Sequence, residues 1–242
     1  MRDPFAEYRE LVASLEERLG RLRGGGDEGG AGRRSTWRRW ALRLGVASAA
    51  LFLPFFVLVG GSVGLYRLAG LPTWLAIIGG VVLTAALLVA YAMWVWRRLG
   101  GRWRWSRQAA RTALVLVGAY GIYSLLYLSS YNVKDDVLRS RYRSLHPLLR
   151  LATSTFVLVD RELVITDMSR EPSDYAAMGL PLYERSLHFI QDDGYAHAVD
   201  LRTHGRSEWR NRLLQAYFMA LGFRTLRHVG TADHLHVSLP PP

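Results

Sequence analysis

Three long runs nearly free of charge dominate the first half of the chain: residues 41–66, which contain Arg43 and Pro54, residues 71–96, and residues 113–131. Each is about as long as the roughly 20 residues a helix needs to cross a hydrocarbon core, or longer, so the pattern predicts three transmembrane helices. Ahead of them, residues 5–22 set Tyr8, Leu11, Leu15, Leu19 and Leu22 at helical spacing among charged positions. That is a short amphipathic helix, suited to a dimer seam, a membrane surface or a plain juxtamembrane segment. Residues 24–32 are mostly glycine and predict a flexible linker. The first 40 residues therefore read as one segment, residues 41–133 as the membrane region, and residues 134–242 as a separate domain.

In that last segment the pattern shortens and alternates, which predicts an α+β fold with a small antiparallel sheet. Residues 135–152 read as helix, with Pro147 opening a first turn after His146. Residues 156–160 and 162–166 are β-rich runs around Asp160 and Arg161. Residues 187–190 and 195–201 read as two strands joined through Gln191, Asp192, Asp193 and Gly194, where Asp-Gly is a turn signal. From Ser207 to Leu221, the side chains of Trp209, Leu213, Leu214, Tyr217, Phe218 and Leu221 form one apolar helical face, with Ser207 as N-cap and Gly222 as terminator. Residues 223–229 and 234–239 complete the strands, and Pro240, Pro241 and Pro242 end the pairing.

Charge changes the picture in one respect. The chain carries a net +11, which alone would suggest a nucleic-acid partner. Residues 1–133, however, hold 17 Arg against 7 acids, whereas residues 134–242 hold 14 basic residues against 13 acids. The excess belongs to the membrane half, so nucleic acid is not expected. Arg33, Arg34, Arg38, Arg39 and Arg43 open the first run, and Arg97, Arg98, Arg102, Arg104, Arg107 and Arg111 fill the connection between the second and third. By the positive-inside tendency both are cytoplasmic, and everything after Tyr131 is outside. Trp37, Trp40, Trp94, Trp96, Trp103 and Trp105 mark the same interface. The expected arrangement is a multi-pass membrane protein with its C-terminal domain on the outer side. The first run starts too late for a cleaved signal peptide and reads as a retained anchor. No Asp, Glu, Lys or His lies inside the three runs, which argues against an ion pathway. The pattern leaves a homo-oligomer open.

Cysteine is absent, so any metal must be held by His and carboxylate. All seven His lie at or beyond residue 146. In a strand through residues 195–201, Ala196, Ala198 and Asp200 share one face, and His197 and Val199 the other. His234 and His236 point the same way, with Leu235 turned into the core.

These residues resemble the zinc D,D-peptidases of cell-wall metabolism, a family that includes D-alanyl-D-alanine carboxypeptidases, vancomycin-resistance D,D-dipeptidases and some endolysin peptidases. Ser186-Leu187-His188 resembles the start of its S-x-H-x-x-G-x-A-x-D motif, and Ala196-His197-Ala198-Val199-Asp200 the end. Asp233-His234-Leu235-His236 resembles the closing segment, and residues 164–170 the strand that bears an upstream Arg. The interval from His188 to Asp200 is longer than in the motif, Ala196 stands for its glycine, and Asp233 stands where many members have Glu. The resemblance implies a zinc-peptidase-like domain with one Zn2+ held by His188, Asp200 and His236, with His197 as the alternative first ligand. It further implies Asp233 as general base, His234 as oxyanion stabiliser, Arg170 as partner of a substrate carboxylate, and Ser186 as a group orienting a ligand. The expected activity is hydrolysis of peptidoglycan stem-peptide bonds, D-Ala-containing, by a carboxypeptidase or endopeptidase. The alternative is a zinc-stabilised wall-peptide-binding or scaffold protein without turnover. His146, His204 and His228 are read as structural or solvated, and Asp192 and Asp193 as turn residues.

Overall fold

The computed structural model describes Glu10 and residues 13–18, 28–99, 107–230 and 232–239. Most of the predicted N-terminal amphipathic helix and residues 24–27 of the predicted linker lie outside the described residues. Residues 13–18 are helical, and the first long helix, α1 (Glu28–Leu68), already includes residues 28–32 that the glycine content predicted as linker. The chain divides within α1 into a unit ending at Phe52 and a unit beginning at Leu53.

In the first unit, Trp40, Leu42, Leu44, Val46 and Leu51 of α1 are all exposed. Apolar surface this continuous is what a bilayer covers. In the second unit, α2 (Thr73–Arg98) and α3 (Arg107–Leu126) follow. Among the described residues, three helices are long and apolar enough to cross a membrane: Trp40–Leu68, Thr73–Arg98 and Arg107–Leu126. The third starts and ends earlier than the apolar run predicted, because a 3-10 turn at Ser130–Asn132, capped by the Ser129 hydroxyl, replaces its last residues. Where α1 meets α2, Gly80 has no room for a side chain: a Cβ there would lie 2.7 Å from the Leu58 carbonyl oxygen and closer still to the Ser62 hydroxyl.

The second unit continues with α4 (Asp136–Ser140), a 3-10 turn at Arg141–Ser144, and α5 (Pro147–Val159). The single helix predicted over residues 135–152 is thus broken. The β-rich run at 156–160 is not a strand; Phe156 to Val159 finish α5. A continuous apolar run reads equally as buried strand or buried helix, and here Pro147 at the first helical position, with the His146 ring accepting from the Leu148 N–H, starts a helix that simply continues.

Every residue of α5 from Pro147 to Phe156 is buried. Polar groups fasten it to α3: the Arg150 guanidinium donates to Leu125 O at 2.7 Å, and Tyr120 OH meets Thr155 Oγ1 at 2.8 Å. Arg139 Nε donates to Leu128 O two residues beyond α3, so two cations sit near the C-terminal end of that helix, one of them on a last-turn carbonyl. Tyr142 OH donates toward Ser124 O at 2.8 Å and pairs with Ser154 Oγ at 2.7 Å.

The remaining elements are β1 (Ile165–Asp167), α6 (Pro172–Ala177), β2 (Ala198–Arg202), α7 (Glu208–Ala220), β3 (Arg224–His228) and β4 (His234–Ser238). The four strands form one antiparallel sheet in the order β1-β2-β4-β3. Residues 187–190, predicted as a strand, are loop: Phe189 makes one isolated bridge, to Arg170, instead of a ladder with β2. Gly222 ends α7 at φ 92°, with Phe223 N bonded to Phe218 O and Gly222 N to Met219 O, the paired bonds of a left-handed helix stop. On α7, Leu214 and Phe218 are buried, but Trp209 and Leu213 are 67% and 48% exposed, so the buried face is narrower than predicted.

Val199, Leu201, Leu235 and Val237 point to one face of the sheet and are fully buried. They belong to a single hydrophobic cluster that also takes in Leu148, Leu151 and Phe156 of α5, Phe218 of α7, Leu58, Val59 and Val63 of α1, Ala76 and Ile77 of α2, and Val117 and Leu125 of α3. Phe56 packs edge-on against Tyr217, and Arg67 donates to Gly222 O. About three turns of α1 are therefore covered by protein, and the segment after residue 133 shares its core with the helix ends.

Candidate metal centre

The other face of the sheet carries the chemistry. Asp200 on β2 lies directly opposite His236 on β4, and Arg202 opposite His234, so alternation puts these four side chains on one face, away from the core. Beside Asp200 the β1–β2 register slips between Ile165 and Asp167, a bulge of the kind found where a strand re-aims a side chain.

His188 reaches the same place from a loop. Its carbonyl accepts from Arg170 N at 2.8 Å, its N–H donates to Ser186 Oγ at 3.3 Å, and Leu187 O accepts from His197 N at 2.7 Å. Gln191 Nε2 ties down Ser186 O and Phe189 O. The residues that lengthen the interval to Asp200 go into a turn at Gln191, Asp192, Asp193 and Gly194, closed by Gly194 N to Gln191 O, with Gly194 at φ 81°. The extra chain is spent away from His188.

The result is a compact triangle. His188 Nε2 lies 3.3 Å from Asp200 Oδ1, His236 Nδ1 lies 2.8 Å from the same oxygen, and the two nitrogens are 3.3 Å apart. Zinc bonds of about 2.0–2.1 Å in tetrahedral array separate neighbouring donor atoms by about 3.3 Å. His188, Asp200 and His236 are thus spaced as a three-ligand set and could hold a metal ion. Burial alone would raise the Asp200 pKa, but hydrogen bonds from His188 and His236 outweigh it and hold the carboxyl well below the usual carboxylate range. The ligand oxygen is ionised. His188 Nδ1 is buried without a partner, so the ring engages the site through Nε2 alone.

His234 stands beside the triangle, its Nε2 3.7 Å from Asp200 Oδ2. Its Nδ1 is 2.7 Å from Ala232 O. A carbonyl only accepts, so Nδ1 donates to it and Nε2 is the nitrogen turned toward the site. The ring stacks on His228, its cross-strand neighbour, at 4.6 Å. Asp233 is arranged differently. Its Oδ1 accepts from Gly230 N and its Oδ2 lies 4.0 Å from Arg227, so both oxygens have partners in the β3–β4 turn.

Arg170 follows β1 and is brought to the His188 loop through its backbone. Its guanidinium is held by Asp167, 2.6 Å from both Nε and the terminal nitrogen, and lies over the Tyr175 ring. Asp167 is a site neighbour the sequence reading missed, although the Asp-x-x-Arg spacing signals it. Ser186 orients the His188 backbone rather than its ring.

His197 does not join the triangle. As alternation predicts, it faces the opposite way and meets His146 and Asp193, which the sequence alone places as a structural or solvated histidine and a turn residue. Comparison with protein-family models, curated proteins and solved structures finds no match for this chain.

Proposed function

We propose that this protein is a membrane-anchored zinc metallopeptidase that hydrolyses a D-Ala-containing amide bond of peptidoglycan stem peptides outside a bacterial inner membrane. One observation carries the reading: His188 Nε2, Asp200 Oδ1 and His236 Nδ1 converge at the mutual spacing of a three-ligand zinc site on the face of the sheet away from the hydrophobic core. The Arg-rich segments around the membrane helices support the orientation.

Zinc bound by these residues would supply Lewis acidity toward the scissile carbonyl and toward an attacking water. His234, with its tautomer set by Ala232 O, is assigned as the base that takes the water's proton and returns it to the leaving amine. Asp233 shapes the turn that carries His234. Arg170, pre-oriented by Asp167, pairs with the carboxylate of the stem peptide, for which its planar fork is suited. Three ligands leave a coordination position open, which is the arrangement of catalytic rather than structural zinc sites.

The test uses the full chain in detergent, because the segment after residue 133 shares its core with the membrane helices. Peptides ending in D-Ala-D-Ala are incubated with and without a chelator, and the products are identified by mass. Chelator-sensitive cleavage that disappears in Asp200→Asn and His236→Ala is expected. Zinc binding without cleavage would replace the peptidase with a wall-peptide-binding module. Undiminished zinc content in both variants would remove the site.

A further inference from the structure

The sheet has a second cluster of imidazole and carboxylate, on the face of β2 away from the triangle. His146 and His197 are 0% and 2% exposed, and their ring centroids are 4.6 Å apart. Asp193 Oδ2 lies 2.9 Å from His197 Nε2 and 3.8 Å from His146 Nε2. Thr73 Oγ1, from the first turn of α2, lies 3.1 Å from the same His146 nitrogen. The Tyr66 ring near the end of α1 packs on His146 at 5.3 Å.

Two of the three ligand groups are aimed by a bond at their far side. His197 Nδ1 is 2.9 Å from Leu239 O and must donate to it, so Nε2 is the nitrogen turned toward Asp193. Histidines that hold metals almost always donate their other N–H in this way. Asp193 Oδ1 accepts from Tyr195 N within the turn, which leaves Oδ2 for the cluster. At 2.9 Å a proton or a metal ion lies between Nε2 and Oδ2, and the His146 Nε2 brought to the same oxygen makes three donor atoms spaced to hold a metal.

We propose that His146, His197 and Asp193, with Thr73 as a neighbouring oxygen, form a second divalent-metal site. Its donor set of two imidazoles and oxygens suits Zn2+ or another borderline first-row ion. Because Thr73 and Tyr66 belong to the helix ends, the ion ties the sheet to the membrane helices and is structural. Ligation through His146 Nε2 places that ring's proton on Nδ1, and the Leu148 N–H gives up a long contact of 3.3 Å. An amide in the first turn of a helix lacks an intrahelical partner in any case. Asp193, 40% exposed, opens the site to solvent.

This site does not depend on the peptidase reading, and one experiment separates the two. The full chain in detergent is equilibrated with zinc, freed of excess, and its metal measured by mass spectrometry, with near-ultraviolet circular dichroism as the check on folding. About two ions per chain are expected, since each three-ligand set holds one. His197→Ala and Asp193→Asn should each fall to about one, as should His236→Ala, and the His197→Ala/His236→Ala double variant should hold none. Asp193→Asn, at an exposed turn, keeps the test valid if His197→Ala fails to fold. One ion in the parent chain, lost in His236→Ala and kept in Asp193→Asn, would mean that a proton bridges Asp193 and His197, and would overturn the second site alone. One ion lost in Asp193→Asn and kept in His236→Ala would uphold this site and remove the peptidase centre. No ion in the parent chain would overturn both.

Discussion

The division of labour between Asp233 and His234 gives the sharpest prediction. Resemblance to the D,D-peptidases points to Asp233 as base, whereas the geometry engages both of its oxygens in the β3–β4 turn and leaves His234 Nε2 facing the triangle. A positioned general base contributes roughly 10²–10⁴-fold, equivalent to about 3–5 kcal/mol of activation free energy. His234→Ala should therefore lower kcat on a D-Ala-D-Ala peptide by at least about a hundredfold. Asp233→Asn retains an amide oxygen able to accept from Gly230 N and loses only a charge 4.0 Å from Arg227. A weak pair of that length is worth less than about 1 kcal/mol, so activity should stay within a few-fold of the parent.

The assay is steady-state hydrolysis by the detergent-solubilised full chain, with zinc content measured on the same samples. Both variants should keep the metal of the triangle, because neither residue belongs to it. Wild-type kcat in His234→Ala together with loss of activity in Asp233→Asn would refute the tautomer argument and return the base to Asp233. Loss of zinc in His234→Ala would make that residue a ligand instead.

Three further outcomes test the fold. Gly80→Ala places a methyl against the Leu58 backbone carbonyl, which cannot rotate away as the Ser62 hydroxyl can; about 1–3 kcal/mol of destabilisation should appear as a lower Tm in detergent. Tyr142→Phe deletes a buried hydroxyl shared by Ser124 O, Arg150 O and Ser154 Oγ, and should cost about 1–3 kcal/mol in the same measurement, with amide exchange rising in α5. For Asp160, burial alone would raise the pKa, but hydrogen bonds from Arg206 and Arg210 prevail and hold it below its ordinary value of 3.8. The unfolded chain then binds this proton first. The contribution of Asp160 is fully present above about pH 4 and is lost as pH falls through the folded value, so Tm against pH should drop less steeply in acid for Asp160→Asn than for the parent.

What the sequence made legible follows from the range of the interactions involved. Long apolar helices depend on composition over about twenty residues, and all three were readable, although α1 and α3 begin earlier than the apolar runs and Pro72 and Ser129 set other ends locally. The facing of Asp200, His234 and His236 depends on strand alternation, which is also local, and it emerged as read. His188 is the instructive case. It was matched to the motif as part of a strand, and the residues are loop; its position is fixed instead by Arg170 N, Ser186 Oγ and the Gln191 side chain. The motif captured which residue meets Asp200 without capturing how.

The relation between domain and membrane is where local reading had least to work with. A boundary at residue 133 follows from charge and from the end of the apolar runs, and it divides the chain where its chemistry changes. The packing ignores that boundary. Apolar residues near the end of α1, counted as lipid-facing by composition, lie in the same core as Val199 and Leu235, because burial by protein and burial by lipid select the same side chains. The polar exceptions are visible in the sequence: Arg150, the one charged residue of α5, and Ser62, Thr73 and Thr84 in apolar runs each bond to a backbone or side-chain partner. His146 and Asp193 are of the same kind. Each looks ordinary beside its sequence neighbours, and only the meeting of a helix N-cap, an Asp-Gly turn and the first turn of α2 puts them at one point. A site on rigid, shared core would hold its ligands whether or not the domain moves. A metal there would therefore couple the sheet to the helix ends, and the triangle on the opposite face would inherit its position from the membrane anchor rather than from a tether.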